Sequence, residues 1–438
     1  MKKAFIAILL FSIVLSSAFQ SCGSGNNDKE VVVDSASIVR GEAAFNQNCT
    51  TCHNFVQDGM GPQLAGVASK VPVDWINNFI HDPKKVIDAG DERAKMLLDK
   101  YHTVMPSFAG LGEEKIQDII AYLQSVKVGT LTDDDKDSVY VKDPIPEKIK
   151  MSGLALNLEQ VAQIPFSSEK MPRTRILKTD IQPGSDNLFV LDLRGTLYML
   201  KDGKPEVYMN MRSLKKDFID EPGLATGFGS FAFHPDFRKN GLLYTSHTEP
   251  KGTAKADFSY NDSIPVQLQW VVTEWKTNTP AAPTFSGEGR ELFRMNFVTG
   301  IHGMQELTFN TSAKPGSKDY GKLYIGLGDG GCVENHFPSI VHAPSKAWGS
   351  IFRIDPAGKN SANGKYGIPA DNPFVKDSGA VKELYAYGFR NPHRITWTRD
   401  GRMLAINIGQ ANIEALYIVQ PGRDYGWPIR EGNFMIRP

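Results

Sequence analysis

Cys49, Thr50, Thr51, Cys52 and His53 stand in a row, and their spacing limits what they can do. Two thiols on one helical turn can form thioethers with the two vinyl groups of a haem, and the adjacent histidine then reaches the iron from the same side. A zinc site would need a second ligand pair, which the other cysteines, Cys22 and Cys332, and the remaining histidines do not offer at suitable spacing. A thiol–disulfide motif has no use for the histidine and wants a βαβ setting. The spacing therefore predicts haem c, bound covalently through Cys49 and Cys52 with His53 as an iron ligand. The sixth position of an electron-transfer haem suits a soft, neutral thioether. Met105, in Met105-Pro106, is the first candidate, with Met60 and Met96 as alternatives.

The flanking elements must hold these groups around one cavity. The stretch RGEAAFNQNCTTCHNF reads as a helix entering the site, and IQDIIAYLQSV, from Ile116 to Val126, carries apolar residues at helical spacing, as a closing helix would. Gly61-Pro62, Trp75 and Met105-Pro106 lie between them. Residues 38–127 resemble the class I cytochrome c family, in which a Met-Pro dipeptide supplies the distal ligand and a Gly-Pro carbonyl accepts a bond from the proximal histidine. That resemblance implies that Pro62 orients His53 and Met105 closes the iron.

The rest of the chain is bounded by bulk properties. At 438 residues, 41% apolar and 22% charged, it is globular and too long for one ordinary core. Its 49 basic and 49 acidic residues cancel, which removes any electrostatic reason to propose a nucleic-acid partner. Lys2 and Lys3 precede an apolar run from Ala4 to Leu15, too short to span a bilayer but suited to a secretory signal over residues 1–21. Small residues leading to Ser21 and Cys22 resemble a bacterial lipoprotein signal, implying a lipid anchor on Cys22. Phe19 replaces the usual leucine, and a plain signal peptide with a free Cys22 is the alternative. Either reading exports the protein to the periplasm or cell envelope. A flexible tether is expected over 22–37, the cytochrome domain over 38–127 and an acidic, solvated linker over 128–150.

From residue 151 to 438 the texture changes to short strands between turns. NLFVLDL, GTLYMLK, GLLYTSHT, LQWVVTEW, KLYIGLGDGG, SIFRIDP, ELYAYGF and ALYIVQ are rich in β-branched and aromatic residues, and no long helix interrupts them. The fold class is thus multidomain, a small all-α domain followed by an all-β propeller with strands for about four blades, a sandwich being the poorer alternative.

Here FAFHPDF with GLLYTSHTE, VVTEW with RELFRMNF, HGMQELTF, KLYIGLGDGG, SIFRIDP with IPADNPF, YAYGFRNP and DYGWP follow one another. In that order they resemble the quinoprotein glucose and sorbosone dehydrogenases, which use pyrroloquinoline quinone (PQQ). The family folds as a six-bladed propeller. This sequence stops eleven residues after Trp427, so the propeller is expected to be incomplete, because four blades leave strand edges unpaired.

Oxidising a sugar hydroxyl by hydride transfer needs a base for the proton and positive charge where an oxyanion forms. The resemblance implies His302 as the base, Arg390 as the group on the quinone oxygen and Asn391 as its neighbouring PQQ contact. It also implies the backbone carbonyls of Gly409 and Gln410 as calcium ligands. Ile301 stands where an orienting acid precedes the histidine, Phe389 where a histidine is common, and Gln410 where proline is common. The turn after Phe309 is lengthened to NTSAKPGSKDYG. Read alone, His302 is a structural histidine and Arg390 a blade staple. His234 reads as a turn residue, Asp329 as an acceptor of backbone N–H groups, Cys332 as a buried apolar residue and the tryptophans as core. Two functions are expected. One is a PQQ-dependent sugar dehydrogenase passing electrons through its haem to a downstream cytochrome or oxidase. The alternative is an electron carrier joined to a non-catalytic propeller that binds a carbohydrate or protein.

Overall fold

The computed structural model describes residues 33–49, 52–55, 58, 61–101, 104–127, 152–223, 225–410 and 413–435. The expected signal peptide, Cys22 and its lipid, the linker over 128–150, Thr50, Thr51 and Met60 lie outside the described residues.

Among the described residues the first domain holds six α-helices: α1 (Ser35–Asn48), α2 (Val67–Lys70), α3 (Val73–His81), α4 (Pro83–Asp88), α5 (Glu92–Tyr101) and α6 (Glu113–Ser125). The tether expected as far as residue 37 gives way to helix earlier. Asp34 accepts from the Ser37 N–H at 2.6 Å and donates its own N–H to Ser37 Oγ at 2.9 Å, a reciprocal cap that starts α1 at Ser35. α6 places Ile116, Ile119, Ile120 and Leu123 on one face, where they bury against Phe45, Ile76 and Ile80. Each such aliphatic contributes about 1.5–3 kcal/mol. The helices cross closely because Gly41 has no side chain: a Cβ there would lie 1.9 Å from the Asp118 carbonyl oxygen. Beside that crossing, Arg40 grips Asp118 through Nε and Nη2, both at 2.8 Å.

The second domain is propeller-like. β1 (Ile176–Ile181), β2 (Leu188–Asp192), β3 (Thr196–Lys201) and β4 (Lys204–Asn210) form one antiparallel sheet. β5 (Phe228–Phe233), β6 (Leu242–Pro250), β7 (Leu268–Thr277) and β8 (Gly287–Phe297) form the next. β9 (Glu306–Phe309), β10 (Leu323–Leu327), β11 (Ser350–Ile354) and β12 (Leu384–Tyr387) make a third. A fourth holds β13 (Pro392–Trp397), β14 (Met403–Asn407) and β15 (Ala415–Val419), with the hairpin β16 (Arg430–Glu431) and β17 (Phe434–Met435) after it. Strands pair with their sequence neighbours throughout, as up-and-down blades do. β5 and β10 are buried along their whole length, so they read as continuous apolar runs rather than alternations. Trp270, Phe293, Phe297, Leu327 and Phe352 fill the space between the second and third sheets, and Phe189, Phe231, Phe233 and Trp275 that between the first and second.

The first strands of the sheets pack against each other in turn, β1 on β5, β5 on β9 and β9 on β13. They are pinned by a buried ion network. Lys178 Nζ on β1 lies 2.8 Å from Glu306 Oε1 on β9, and Arg394 Nη1 on β13 lies 3.4 Å from Glu306 Oε2. Arg394 also donates to the Leu177 carbonyl of β1. Antiparallel order fixes where function can sit. The β8–β9, β10–β11, β12–β13 and β14–β15 connections all fall at one end of the sheets, which brings residues distant in sequence together.

Candidate functional site

In the helical domain, the C-terminus of α1 presents the haem-type residues. Cys49 caps the helix with its N–H on the Phe45 carbonyl, and the N–H groups of Cys52 and His53 both donate back to the Cys49 carbonyl at 3.1 and 2.9 Å. One turn therefore carries both thiols and the imidazole. His53 Nδ1 donates to the Pro62 carbonyl at 2.8 Å, the bond implied by the Gly-Pro dipeptide, and this tautomer leaves the Nε2 lone pair for iron. Gly61 is required beside it, since a Cβ would lie 2.4 Å from His53 Cε1. Burial holds the imidazole neutral by lowering its pKa, against the pull of the Pro62 bond. Burial also pushes the Cys49 thiol up to about 12 and raises Cys52.

Cys49, Cys52, His53 and Met105 line one predominantly apolar cavity together with Trp75, Ile80 and Phe108. The loop bearing Met105 is tied to α3, with the Phe108 N–H on the Ile80 carbonyl at 2.9 Å and Ser107 Oγ on the His81 carbonyl. Met96 is 57% exposed and does not line the cavity. Two thiols, a neutral imidazole and a thioether around an apolar space fit a covalent haem c.

In the β domain, His302 sits in the β8–β9 connection with φ of 48°, a left-handed conformation uncommon for a side-chain-bearing residue. Two glycines make room for it. A Cβ on Gly328 would meet the His302 carbonyl oxygen at 2.1 Å, and one on Gly303 would meet the Trp270 indole at 2.1 Å. His302 Nδ1 donates to Asp329 Oδ1 at 2.7 Å. The reading of Asp329 as an acceptor of backbone N–H groups is met and widened. It does accept from the Gly331 N–H at 2.9 Å, but it also holds His302 and takes the Trp427 Nε1–H on Oδ2 at 3.0 Å. The acid that Ile301 fails to supply comes from the β10–β11 connection, 27 residues further along the chain. Burial alone would raise the Asp329 carboxyl, yet His302 and Arg390 beside it hold it below the usual carboxylate range.

Arg390 lies in the β12–β13 connection, its carbonyl accepting from the Asp329 N–H at 2.7 Å. Its guanidinium donates to Gln410 Oε1 at 2.8 Å, to the Gly409 carbonyl at 2.7 Å and to Glu334. The staple reading of Arg390 is thus literally met, since these bonds tie the β10–β11 and β14–β15 connections. Asn391 is buried, and its N–H shares the Asn407 side-chain carbonyl with that of Arg390, at 3.0 and 3.1 Å. Gly409 and Gln410 stand beside Arg390 as expected, but the Gly409 carbonyl oxygen is taken by the guanidinium. Among the described residues no group of three or more His, Cys, Asp or Glu side chains could hold a metal.

Trp427, read as core, is 3% exposed but bonded to Asp329, and the Arg390 guanidinium lies 5.6 Å above its ring. Its place in DYGWP gave no hint of this, because the partner is 98 residues away. His234 and Cys332 are as read: His234 Nδ1 accepts from the Asp236 N–H within a turn, and Cys332 is fully buried. The lengthened turn after Phe309 is stapled by its own Asp319, which accepts from Tyr324 and Arg353 at 2.7 and 3.0 Å.

Both domains resemble known proteins. The chain is 28% identical over 260 residues to "HIPL1 protein" of Arabidopsis thaliana, covering 51% of this chain and 36% of that one. It is 26% identical over 246 residues to "Aldose sugar dehydrogenase YliI" of Escherichia coli, covering 55% and 57%. The chain thus spans between about a third and three-fifths of these relatives. Among solved structures, the PQQ-bound form of aldose sugar dehydrogenase from Streptomyces coelicolor aligns with 21% identity and a TM-score of 0.44, over 63% of this chain and 66% of that one. Residues 38–127 match the family model for cytochrome c. Residues 179–434, more than half the chain, match that for Glucose / Sorbosone dehydrogenase, and the protein belongs to that family, with a cytochrome c domain preceding its propeller.

Proposed function

We propose that the protein oxidises an aldose-type sugar or related alcohol at PQQ and passes the electrons to its own haem c, then to a respiratory cytochrome or oxidase. One observation carries this reading. A histidine whose Nδ1 is committed to a buried carboxylate shares one end of the sheets with a buried arginine, in a chain that also builds a haem cavity. When bound, PQQ supplies a carbonyl carbon that accepts hydride and an oxygen on which negative charge gathers. His302 Nε2, the nitrogen left by the Asp329 bond, takes the sugar hydroxyl proton. Asp329 fixes that tautomer and balances the imidazolium. Arg390 offers fixed positive charge to an anionic oxygen, and Asn391 is the contact next to it. Calcium belongs to the proposal as a hard cation for oxygen donors, held by the carbonyls of Gly409 and Gln410, the Gly409 oxygen keeping a second lone pair beside the one that Arg390 uses. Covalent linkage of the two domains makes the electron transfer intramolecular. The segment over residues 1–21 and Cys22 supports export to the periplasm or envelope with a lipid tether.

The test uses the haem as reporter. The full chain, loaded with PQQ and calcium, is mixed with a panel of aldoses without external dye, and the haem absorbance is followed. Quinone-dependent reduction that disappears in His302→Ala is expected. No reduction by any sugar, with no PQQ binding, overturns the reading. The second function, a binding propeller beside an electron carrier, draws on the fact that Arg390 is already satisfied by Glu334, Gln410 and Gly409.

A further inference from the structure

Trp427 joins the two halves of the candidate site. Its Nε1–H donates to Asp329 Oδ2, the oxygen that His302 does not use, while the face of its ring lies against the Arg390 guanidinium. Its own backbone is held at both ends, the N–H on the Gly388 carbonyl at 2.9 Å and the carbonyl on His342 Nδ1 at 2.8 Å. An indole is a donor only, so at this position it can support a carboxylate and cannot support a protonated acid's O–H. A phenylalanine would fill the same space without that discrimination.

We propose that Trp427 is a positioning residue for sugar oxidation: its indole N–H holds the Asp329 carboxylate turned toward His302, and its ring face fixes Arg390, so that one side chain sets both the base and the cation. The role in sugar oxidation rests on the proposed function, whereas the claim about His302 and Asp329 stands without it. With the indole donor gone, Asp329 Oδ2 loses its bond, the carboxylate is free to turn away, and His302 is no longer confined to the Nδ1–H tautomer. The Trp427→Phe variant should therefore mix the Nδ1–H and Nε2–H forms of His302 and slow sugar-driven haem reduction by about tenfold.

The measurement is NMR of the full-length protein with reduced haem, labelled with nitrogen-15 in histidine and tryptophan. A single Nδ1–H tautomer of His302 that becomes a mixture in Trp427→Phe, with sugar-driven haem reduction slowed in parallel, supports the proposal. An unchanged tautomer in Trp427→Phe overturns it, whatever the activity. A changed tautomer in a protein that no sugar reduces upholds the positioning of His302 and refutes the proposed function instead. Should Trp427→Phe not fold, the unsubstituted protein still decides. Its Trp427 indole N–H must show the downfield shift of a bond to a carboxylate, and an indole signal without that shift sinks the proposal.

Discussion

Replacing Asp329 by asparagine removes one charge and reverses one hydrogen-bond polarity at the centre of the candidate site. The carboxylate accepts three bonds, from His302 Nδ1, the Gly331 N–H and Trp427 Nε1. An asparagine can present its oxygen to only one side. Either its NH2 faces the Trp427 N–H, donor against donor, or it faces His302 and forces the proton from Nδ1 to Nε2, the wrong tautomer for a base. Hydrogen bonds to a charged group are worth about 1.5–3 kcal/mol each. Losing the ion-pair support of the imidazolium at about 3 kcal/mol slows sugar-driven haem reduction by about a hundredfold. Stability should fall as well, by about 1–3 kcal/mol for the buried donor left unmatched. Its pH dependence follows from the depressed carboxyl. The Asp329 contribution is complete above the ordinary aspartate value of about 4 and is lost as pH falls through its lower folded value. The wild-type advantage over Asp329→Asn should therefore be full at pH 7 and shrink on acidification. Stopped-flow haem reduction and urea unfolding across pH read these two effects. A variant that reduces its haem at the wild-type rate refutes the assignment of Asp329 to His302.

Three further outcomes are expected. Met105→Ala should change the reduced haem spectrum while Met96→Ala leaves it as it was, because of these two Met105 lines the cavity and Met96 does not; an unchanged Met105→Ala spectrum assigns the sixth ligand elsewhere. Ile120→Ala, at a fully buried position of α6, should cost about 2–5 kcal/mol in denaturant unfolding followed by haem absorbance, and a cost under 1 kcal/mol contradicts the packing described. His234, His247 and His393 are held neutral by burial, with folded pKa values below the ordinary one, His393 at about 3. Stability they contribute is complete above about pH 6.5 and is lost as pH falls toward those folded values, so unfolding free energy should drop between pH 7 and 5, and His247→Gln should flatten that slope.

What was legible in the sequence depended on how local its cause is. The Cys49–His53 turn and the closing helix α6 are governed by spacing within a few residues, and they stand where expected. The same holds for the strands bounded by glycine, such as β3 and β10. β1 and β14 were not read as strands. Exposed residues such as Ile176, Ile181 and Ile406 blur their pattern, and only pairing with β2, β13 and β15 identifies them. The tether boundary failed for another reason. Asp34 and Ser37 are ordinary polar residues until they cap a helix together, and that turned the last residues of an expected flexible segment into α1.

The site shows the same division more sharply. The family resemblance implies an orienting acid just before His302, where this chain has Ile301. Yet an imidazole needs its partner within hydrogen-bond reach in space, and a blade architecture supplies such partners from other connections. Asp329 arrives from β10–β11 and Trp427 from beyond β15, separated from their partners by 27 and 98 residues. No periodicity links such positions. The one local trace was the density of glycine around them. Gly303, beside His302, and Gly328, beside Asp329, both stand where a Cβ would collide, and such positions mark a backbone brought unusually close to its neighbours. The left-handed φ of His302 fits this crowding. Its conformation is held by the Gly328 and Gly330 N–H groups, which donate to the carbonyls of Gly303 and His302 at 3.0 and 3.1 Å. A Gly328→Ala substitution, which adds no polar atom, should therefore displace His302 and lower haem reduction as much as Asp329→Asn does. Equal rates for Gly328→Ala and wild type would show that the close approach is incidental to the base.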